Sequence, residues 1–342
     1  MPRQQLDRKR SRRSVTAESI KSARRQMFRR IVTVLAITVL IAPLTVAVSA
    51  LSRIDHRWPD ILAQFAAPSL VVTAAFAVVL AIMRLKTAFA VSIVVACSLL
   101  AAVWPQWGAE RGRAQPGAQV LTLYSANLYY RNTDVAAITA SVAEARPDII
   151  VFIEASRGVV SSLDRVLVDY PHRLVATGRL RRGTSETVIA SRYPLTPGSN
   201  AAPDFDYALA RVETPLGPVN VVGAHLTRPW PYQVQWEQIR QARGLTSLIS
   251  DVPGPTIVAG DFNSISSGRI GRQIQAEAGL KANPGWPGTW PAQLPAFLGF
   301  TIDQVYRTPD LAVVGRRVGL RTGSDHRPVV TRLTLAEPRP AS

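Results

Sequence analysis

The chain has 342 residues, of which 47% are hydrophobic, and it carries a formal net charge of +17. That length allows one sizeable domain plus an additional segment, and a single cysteine, Cys97, excludes a fold stabilised by disulfides. The positive charge suggests an anionic partner, but residues 1–30 alone hold eleven Lys or Arg against two acids. Such a tail fits a nucleic-acid-binding arm or, as we prefer, the cytoplasmic flank of a membrane segment.

Three long apolar runs follow the basic tail. The first, at about 31–51, has no charged residue and is long enough to cross a hydrocarbon core of about 30 Å. The second, at 61–83, has Gln64 as its one strongly polar interruption, and the third spans 87–104. We therefore predict three transmembrane helices. A signal peptide cleaved at 47–50 is the competing interpretation of the first run, but that run is long for a signal peptide and two more follow it.

The basic residues predict how this 31–104 segment is oriented. The tail and the turn that carries Arg84 and Lys86 belong inside, because cytoplasmic flanks are enriched in Lys and Arg. Three crossings then place the chain after about Trp104 outside the plasma membrane. Composition divides this outer part into a Gly- and Pro-rich linker, a domain and a short tail, at 105–119, 120–336 and 337–342.

Short apolar runs that alternate with helical patterns indicate an α/β sandwich in the outer domain. Helices are predicted at 134–145, with Asn132 or Thr133 as N-cap, and at 231–249. The segment 213–220, ETPLGPVN, is typical of a tight hairpin. Strands are predicted at 120–127, 148–154, 186–191, 207–213, 218–225, 255–260, 311–315 and 328–334.

Polar residues of a few chemical types lie at the ends of these apolar runs or in short apolar contexts. Each one alone fits a helix cap or a turn, but together they are all carboxylates, carboxamides or imidazoles. The ends of adjacent strands in an α/β fold converge on one crevice, so we predict a single site. Its residues are Asn127, Glu154, His225, Asp261, Asn263, Asp303, Asp325 and His326.

The available side chains narrow the chemistry of that site. The outer domain has no Cys nucleophile, no Gly-x-Ser-x-Gly elbow and no His-Glu-x-x-His motif. Hard oxygen ligands such as Glu154 favour Mg²⁺ or Mn²⁺ over zinc. A divalent cation beside imidazoles and amide donors suits attack by water on a phosphorus centre.

Seven motifs in chain order resemble the endonuclease/exonuclease/phosphatase superfamily, whose DNase I-like fold occurs in pancreatic DNase and neutral sphingomyelinases. They are SAN, VFIEAS, ASRYPL, GAHL, AGDFNS, TIDQV and GSDHRPV. The resemblance covers about residues 120–335 and implies a four-layer α/β sandwich with two central sheets, preceded here by the three apolar helices.

The resemblance also implies which residues hold the metal. Asn127 and Glu154 resemble the metal-site residues, with Glu154 as the direct ligand, and Asp325 resembles a second carboxylate on the metal side. Many nucleases of the superfamily carry an acid where this chain has Tyr129, so a second metal position is not expected.

The remaining roles implied by the resemblance are catalytic. Asp261 would orient or activate the water, and Asn263 would steady the transition state. His225 resembles the imidazole that contacts the phosphate or protonates the leaving group. Asp303 resembles the carboxylate that polarises His326.

The motifs do not decide the substrate. The three-helix anchor and the TWPA loop are similar to the teicoplanin-resistance membrane phosphatase group, which acts on the lipid carrier undecaprenyl pyrophosphate. We therefore expect a phosphorylated lipid as substrate and the bilayer as partner. The alternatives are a surface nuclease that binds nucleic acid or a sphingomyelinase-like phosphodiesterase and, last, an inactive membrane scaffold; the oligomeric state stays open.

Candidate substrate contacts come from aromatic and basic loops. Trp230 and Trp290 lie in Trp- and Pro-rich loops suited to a membrane interface, whereas Trp236, in a helical pattern, is expected to pack onto the core. Arg179 and Arg181 could grip a phosphate, although a solvated basic turn explains them as well.

Overall fold

The computed structural model describes residues 3–177, 185–198, 205–231 and 234–338, with side chains from residue 19 onward. Five helices precede the outer domain: α1 Arg3–Val39, α2 Ile41–Ser52, α3 Arg57–Ala63, α4 Ala66–Ile82 and α5 Lys86–Trp107. The first half of the domain contains β1 Leu121–Asn127, α6 Val135–Ala145, β2 Ile149–Ala155, α7 Arg157–Val160, α8 Leu163–Val166, β3 His172–Thr177 and β4 Glu186–Ser191.

The second half of the domain begins with a short edge strand and a long hairpin. It contains β5 Leu195–Pro197, β6 Asp206–Thr214, β7 Gly217–His225, α9 Gln235–Ser250, β8 Thr256–Asp261, α10 Arg269–Ala278, β9 Lys281–Ala282, a 3-10 turn Ala296–Leu298, β10 Asp303–Arg307, β11 Leu311–Val318 and β12 Val329–Leu335.

Two six-stranded sheets form the centre of the domain. Their strand orders are β11-β12-β1-β2-β4-β3 and β5-β6-β7-β8-β10-β9. The apolar side chains of the two inner faces pack against each other, and the outer faces are covered by α6–α8 on one side and by α9–α10 on the other. The layers are therefore helix, sheet, sheet and helix, and the prediction of an α/β sandwich is confirmed.

Most sequence-based boundaries agree with the structure within two residues, with three corrections. The N-cap of α6 is Asp134, whose carboxylate accepts from Ala137 N–H at 2.9 Å, rather than Asn132 or Thr133. The helix predicted from 231 begins at Gln235. The patterns gave no separate prediction for β3, β5, β9, β10, α7, α8 and α10, which are short or, for α10, largely polar.

The residues predicted as a linker lie against the domain. Residues 105–107 still belong to α5, and backbone hydrogen bonds then join the chain to β11, β12 and the residues after β12. Glu337 N–H donates to Arg113 O at 2.8 Å. Gln115 N–H donates to Leu335 O at 2.9 Å, and Val313 N–H donates to Arg111 O at 2.7 Å.

The N-terminal helices partly confirm the predicted membrane segment. Two helices of the described chain, Ser19–Ser52 and Lys86–Trp107, are long and apolar enough to cross a membrane. The predicted second span is two helices, α3 and α4, bent by 53°, and it counts as a third crossing only if that pair is one span. Residues 61–63 belong to α3, and the turn at Gln64 and Phe65 delays the start of the long apolar helix to Ala66 instead of 61.

One end of this helical segment is joined to the outer domain. In α5, Gln106 O accepts from Gly285 N–H at 2.8 Å and Gln106 Oε1 accepts from Thr301 Oγ1 at 2.5 Å. The rings of Phe65 and Phe300 meet edge to face with centroids 5.0 Å apart. The opposite end of the helices holds Arg29, whose guanidinium donates to Arg84 O at 2.9 Å.

Candidate functional site

Strand pairing brings the predicted site residues together at one end of the sandwich. In the second sheet, Asp261 at the end of β8 is the register partner of both His225 at the end of β7 and Asp303 at the start of β10. In the first sheet, Asn127 ends β1 beside β2, which carries Glu154. Side chains from both sheets thus line one cavity of about 400 Å³, the central cavity.

Two carboxyl groups of the second sheet, Asp261 and Asp303, form a buried group with the imidazole of His326, which lies just before β12 of the first sheet. His326 Nδ1 lies 2.9 Å from Asp303 Oδ2, and His326 Nε2 lies 3.8 Å from Asp261 Oδ2. Burial alone would lower the pKa of His326, but the charges of Asp303 and Asp261 outweigh it and raise that pKa to about 10. Burial also raises the pKa of Asp261 to about 6, against the opposing charge of His326. The two carboxyl groups on either side of His326 thus favour the protonated imidazole.

Asp261 is fixed by hydrogen bonds from two further residues. Asn127 Nδ2 donates to Asp261 Oδ2 at 2.9 Å, and the backbone N–H of Asn263 donates to Asp261 Oδ1 at 2.8 Å. Asn263 itself donates from Nδ2 to Leu226 O at 2.9 Å. The tight path of β8 depends on Gly260, because a Cβ there would lie 2.0 Å from Ala224 O.

A second imidazole lies beside the carboxylate of Glu154. His225 Nε2 is 3.4 Å from Glu154 Oε1 and 3.9 Å from Asp261 Oδ2. Three non-glycine residues around this point, Tyr129, Glu154 and Asn263, have φ values of 60°, 54° and 48°. Left-handed backbone of this kind is costly for non-glycine residues and clusters at functional sites, where the surrounding structure holds it in place.

Asp325 is positioned by a tryptophan of the cavity wall. Trp290 Nε1 donates to Asp325 Oδ2 at 3.2 Å, and Asp325 O accepts from Ala292 N–H at 2.7 Å. Ser324 Oγ donates to Asn127 O at 2.8 Å and accepts from His326 N–H at 3.0 Å, so this loop is tied to β1.

Two sets of side chains could hold a divalent cation. Ligand atoms of Asp261, Asp303 and His326 lie within 4.8 Å of one another, but these atoms already bond to each other and to Asn127 and the backbone N–H of Asn263. The oxygens of Glu154 and Asp325, which both line the central cavity, are the hard donors that Mg²⁺ and Mn²⁺ prefer. The donor chemistry therefore fits a cation on the Glu154 and Asp325 side.

Sequence patterns missed part of the cavity wall. Gln64 and Phe65, from the turn between α3 and α4, line the central cavity, and so do Arg228 and Arg240. A signal was present in Gln64, which interrupts an otherwise apolar run. Its side chain turns out to face the site.

The four predicted substrate contacts have different outcomes. Trp230, which is 43% exposed, and Trp290 both line the central cavity. Arg179 and Arg181 lie outside the described residues. The expectation that Trp236 packs onto the core is wrong: it is 57% exposed, with the Arg240 guanidinium 5.0 Å from its ring, because α9 turns this position away from the sheet.

The family model described as Endonuclease/Exonuclease/phosphatase family matches residues 124–326, and the chain belongs to this family. Its members are divalent-metal-dependent hydrolases that include nucleases and phosphatases. No curated protein matches the chain.

Solved structures with the same fold share little sequence with the chain. An endonuclease/exonuclease/phosphatase from Beutenbergia cavernae is 21% identical with a TM-score of 0.52, covering 64% of this chain and 72% of its own. A family protein from Bacteroides thetaiotaomicron is 14% identical with a TM-score of 0.52, covering 64% and 99%. The endonuclease domain of the retrotransposon TRAS1 is 17% identical with a TM-score of 0.50, covering 64% and 100%. These likenesses support the fold.

Proposed function

We propose that the protein is a membrane-anchored, divalent-metal-dependent phosphohydrolase that acts outside the cytoplasm on a lipid-linked phosphate or pyrophosphate, such as undecaprenyl pyrophosphate. The observation that carries this proposal is the composition of the central cavity. Gln64 and Phe65 from the apolar N-terminal segment line it together with His225, Asp261 and His326. A cavity built partly from the anchor favours a substrate that itself resides in the membrane.

The cation would be held by Glu154 and Asp325, with Asn127 beside them. When bound, it would offset the charge of the phosphoryl oxygens. Glu154 already accepts from Tyr130 N–H at 3.3 Å and Asp325 accepts from Trp290, so both carboxylates are oriented before substrate arrives. Such pre-orientation reduces the reorganisation that catalysis requires.

Asp261 and His326 would move the protons. With a pKa of about 6, Asp261 is ionised at neutral pH and can accept a proton from the attacking water. His326, with a pKa raised to about 10 by its carboxylate neighbours, remains protonated and donates to a phosphoryl or leaving-group oxygen. Asp303 holds its Nδ1, while His225 and Asn263 line the same cavity beside Asp261 and would supply further polar contacts.

The orientation follows from the positive-inside rule. Arg29 and Arg84 meet at the end of the helices away from the catalytic domain, whereas Phe65 and Gln106 contact that domain. A cytoplasmic basic end therefore corresponds to an extracytoplasmic active site. Anchoring there would raise the local concentration of lipid substrates.

Phosphate release from undecaprenyl pyrophosphate by the full-length protein in detergent tests this function. We expect release with Mg²⁺, none with EDTA, and a large loss in Asp261→Ala. Asp310→Ala is the matched control, because that carboxylate is exposed and outside the cavity. A folded protein that binds Mg²⁺ and releases no phosphate would contradict the lipid phosphatase function.

A nuclease is the second candidate, and the arginines of the cavity favour it. Arg228 and Arg240 line the central cavity with Trp230, a combination of cationic and aromatic groups suited to a phosphate backbone and stacked bases. Single-stranded DNA is the comparison substrate in the same assay. Cleavage that falls steeply with added salt, in the absence of lipid phosphate release, would support this alternative.

A further inference from the structure

A second cavity of about 510 Å³ lies among the N-terminal helices, between α2 with the end of α1 on one side and α4 on the other. We call it the apolar groove. Among its lining residues, Ser69 and Thr73 are the two with polar side chains, and the rest are aliphatic, aromatic or proline. A cavity of this composition suits hydrocarbon.

The groove follows one face of α4. Its lining positions on that side recur at spacings of three and four residues, which is the period of a single helical stripe. At 1.5 Å per residue, the stripe descends about 16 Å from the end that contacts the catalytic domain. Its residues are Phe65, Pro68, Ser69, Val72, Thr73 and Phe76.

The opposite wall is shaped by a break in the first apolar helix. Pro43 has no N–H to donate to Val39 O, and α1 ends at Val39 before α2 begins at Ile41. Val39, Leu40 and Pro43 all line the groove. Val39 and Val72, on opposite sides, are 61% and 62% exposed, so the groove is open toward the surroundings of the helices.

Phe65 is a wall of both cavities. Its side chain lines the apolar groove and also the central cavity, where it meets the ring of Phe300. Phe65 is therefore shared by the polar central cavity, which Glu154 and Asp261 also line, and the apolar groove among the N-terminal helices.

We propose that the apolar groove seats the hydrocarbon chain of a membrane lipid phosphate whose headgroup lies in the central cavity. This inference rests on the proposed phosphohydrolase function. The occupant is argued from continuity, since the chain would pass Phe65 while the phosphate stays at the catalytic groups. Bilayer hydrocarbon is as apolar as the groove, so moving the lipid chain from the bilayer into the groove adds little to the binding affinity. The groove would instead orient the phosphate at the catalytic groups.

Photolabelling of the full-length protein in phospholipid nanodiscs tests directly whether the apolar groove binds the hydrocarbon chain. The probe is hexadecyl phosphate with a terminal diazirine, and hexadecanol with the same diazirine reports labelling that needs no headgroup. We expect phosphate-dependent labelling of α2 and α4 at groove positions. Equal labelling by both probes would overturn the proposal.

A matched pair of variants adds an activity readout. Val72→Trp narrows the groove, and Val78→Trp places the same ring on α4 outside it at a similar exposure, 59% against 62%. We expect Val72→Trp to lower kcat/KM for hexadecyl phosphate by up to about 10²-fold, because a displaced chain misplaces the phosphate. Hydrolysis of p-nitrophenyl phosphate, which has no chain, should stay at the rate of the control variant.

The possible results distinguish a failure of the proposed lipid-binding groove from a failure of the proposed phosphohydrolase function. Equal rates of hexadecyl phosphate hydrolysis in the two Trp variants would contradict chain binding in the groove. The proposed phosphohydrolase function would be unaffected by that result. Phosphate-dependent labelling of the groove without phosphate release would support the groove and contradict the hydrolase. Loss of both substrates in Val72→Trp, with Val78→Trp active, would place the defect in the site and overturn the groove as a chain seat.

Discussion

The carboxylate of Asp60, which follows the first predicted membrane span, accepts a hydrogen bond from Gln235 Nε2 in the catalytic domain at 2.5 Å. Its other oxygen accepts from Arg269 N–H at 2.7 Å. Asp60 and Gln235 are both buried, so these bonds are shielded from water. The anchor thereby contacts the two helices, α9 and α10, that cover the second sheet.

We expect Asp60→Ala to destabilise this junction by about 1–3 kcal/mol, because Gln235 Nε2 would be left buried without its acceptor. Thermal unfolding in detergent measures the loss. Asp55→Ala is the control: Asp55 pairs with Arg272 at 3.1 Å but is 67% exposed, and exposed pairs contribute about 0–1 kcal/mol. Equal unfolding temperatures for the two variants would contradict a stabilising role for Asp60.

His326→Ala should lower kcat by at least about 10²-fold if the imidazolium transfers a proton in the reaction. His172→Ala is the matched control, because His172 lies at the start of β3 outside the central cavity. A near-wild-type rate for His326→Ala, with Mg²⁺ bound, would remove His326 from the mechanism.

The ion pair of His326 predicts a specific pH dependence in the metal-free protein. Its folded-state pKa of about 10 exceeds the ordinary value of 6.5. Protonated His326 therefore stabilises the fold fully below about pH 6.5, and this contribution is lost as the pH rises through about 10. In Asp303→Asn the pKa of His326 should fall, because burial lowers this pKa and one of the two carboxylates that raise it is removed.

Imidazole nitrogen chemical shifts measure this titration, since the chain has four histidines. The signal that disappears in His326→Gln is assigned to His326. Titration of that signal near pH 6.5 in the wild type, unchanged in Asp303→Asn, would contradict the assigned ion pair.

The sequence allowed the sheet-end residues to be predicted because strand periodicity is local and strand ends share an edge. Asp261, Asp303 and His326 each follow or open a short apolar run. The β7–β8–β10 pairing brings His225, Asp261 and Asp303 together, and His326 reaches them from the segment before β12. The sandwich was predictable for the same reason. Its layers follow from alternating strand and helix patterns.

The contribution of Gln64 and Phe65 was not predictable in this way. Their place in the cavity depends on a 53° bend between α3 and α4 and on the contact of Phe65 with Phe300, 235 positions away. Hydropathy assigns both residues to one continuous apolar run. The hydrogen bonds from the catalytic domain to Asp60 on α3 are likewise long-range contacts that no local pattern encodes.

Glu154→Gln should weaken the apparent affinity for Mg²⁺, because it removes a charge from the proposed cation ligands while keeping the size of the side chain. Phosphate release measured across a Mg²⁺ titration reports the shift. Glu213→Gln, at a 54% exposed position on β6, is the control. Identical Mg²⁺ titrations for the two variants would show that Glu154 does not hold the cation.

The orientation of the protein can be tested with reporters at two positions. Alkaline phosphatase fused after Ser342 should be active, because that enzyme folds only outside the cytoplasm. The same reporter inserted between Arg84 and Lys86 should be inactive, since this basic turn is predicted to lie inside. Green fluorescent protein at the same positions should give the opposite pattern. An inactive phosphatase after Ser342, with a fluorescent fusion there, would place the catalytic domain in the cytoplasm and contradict an outer-leaflet substrate. Activity at the turn alone would instead show that α3 and α4 do not form a crossing, because α5 would then return the catalytic domain to the cytoplasm. Activity at both positions would show that α5 does not cross, because it is the helix that separates the turn from the catalytic domain.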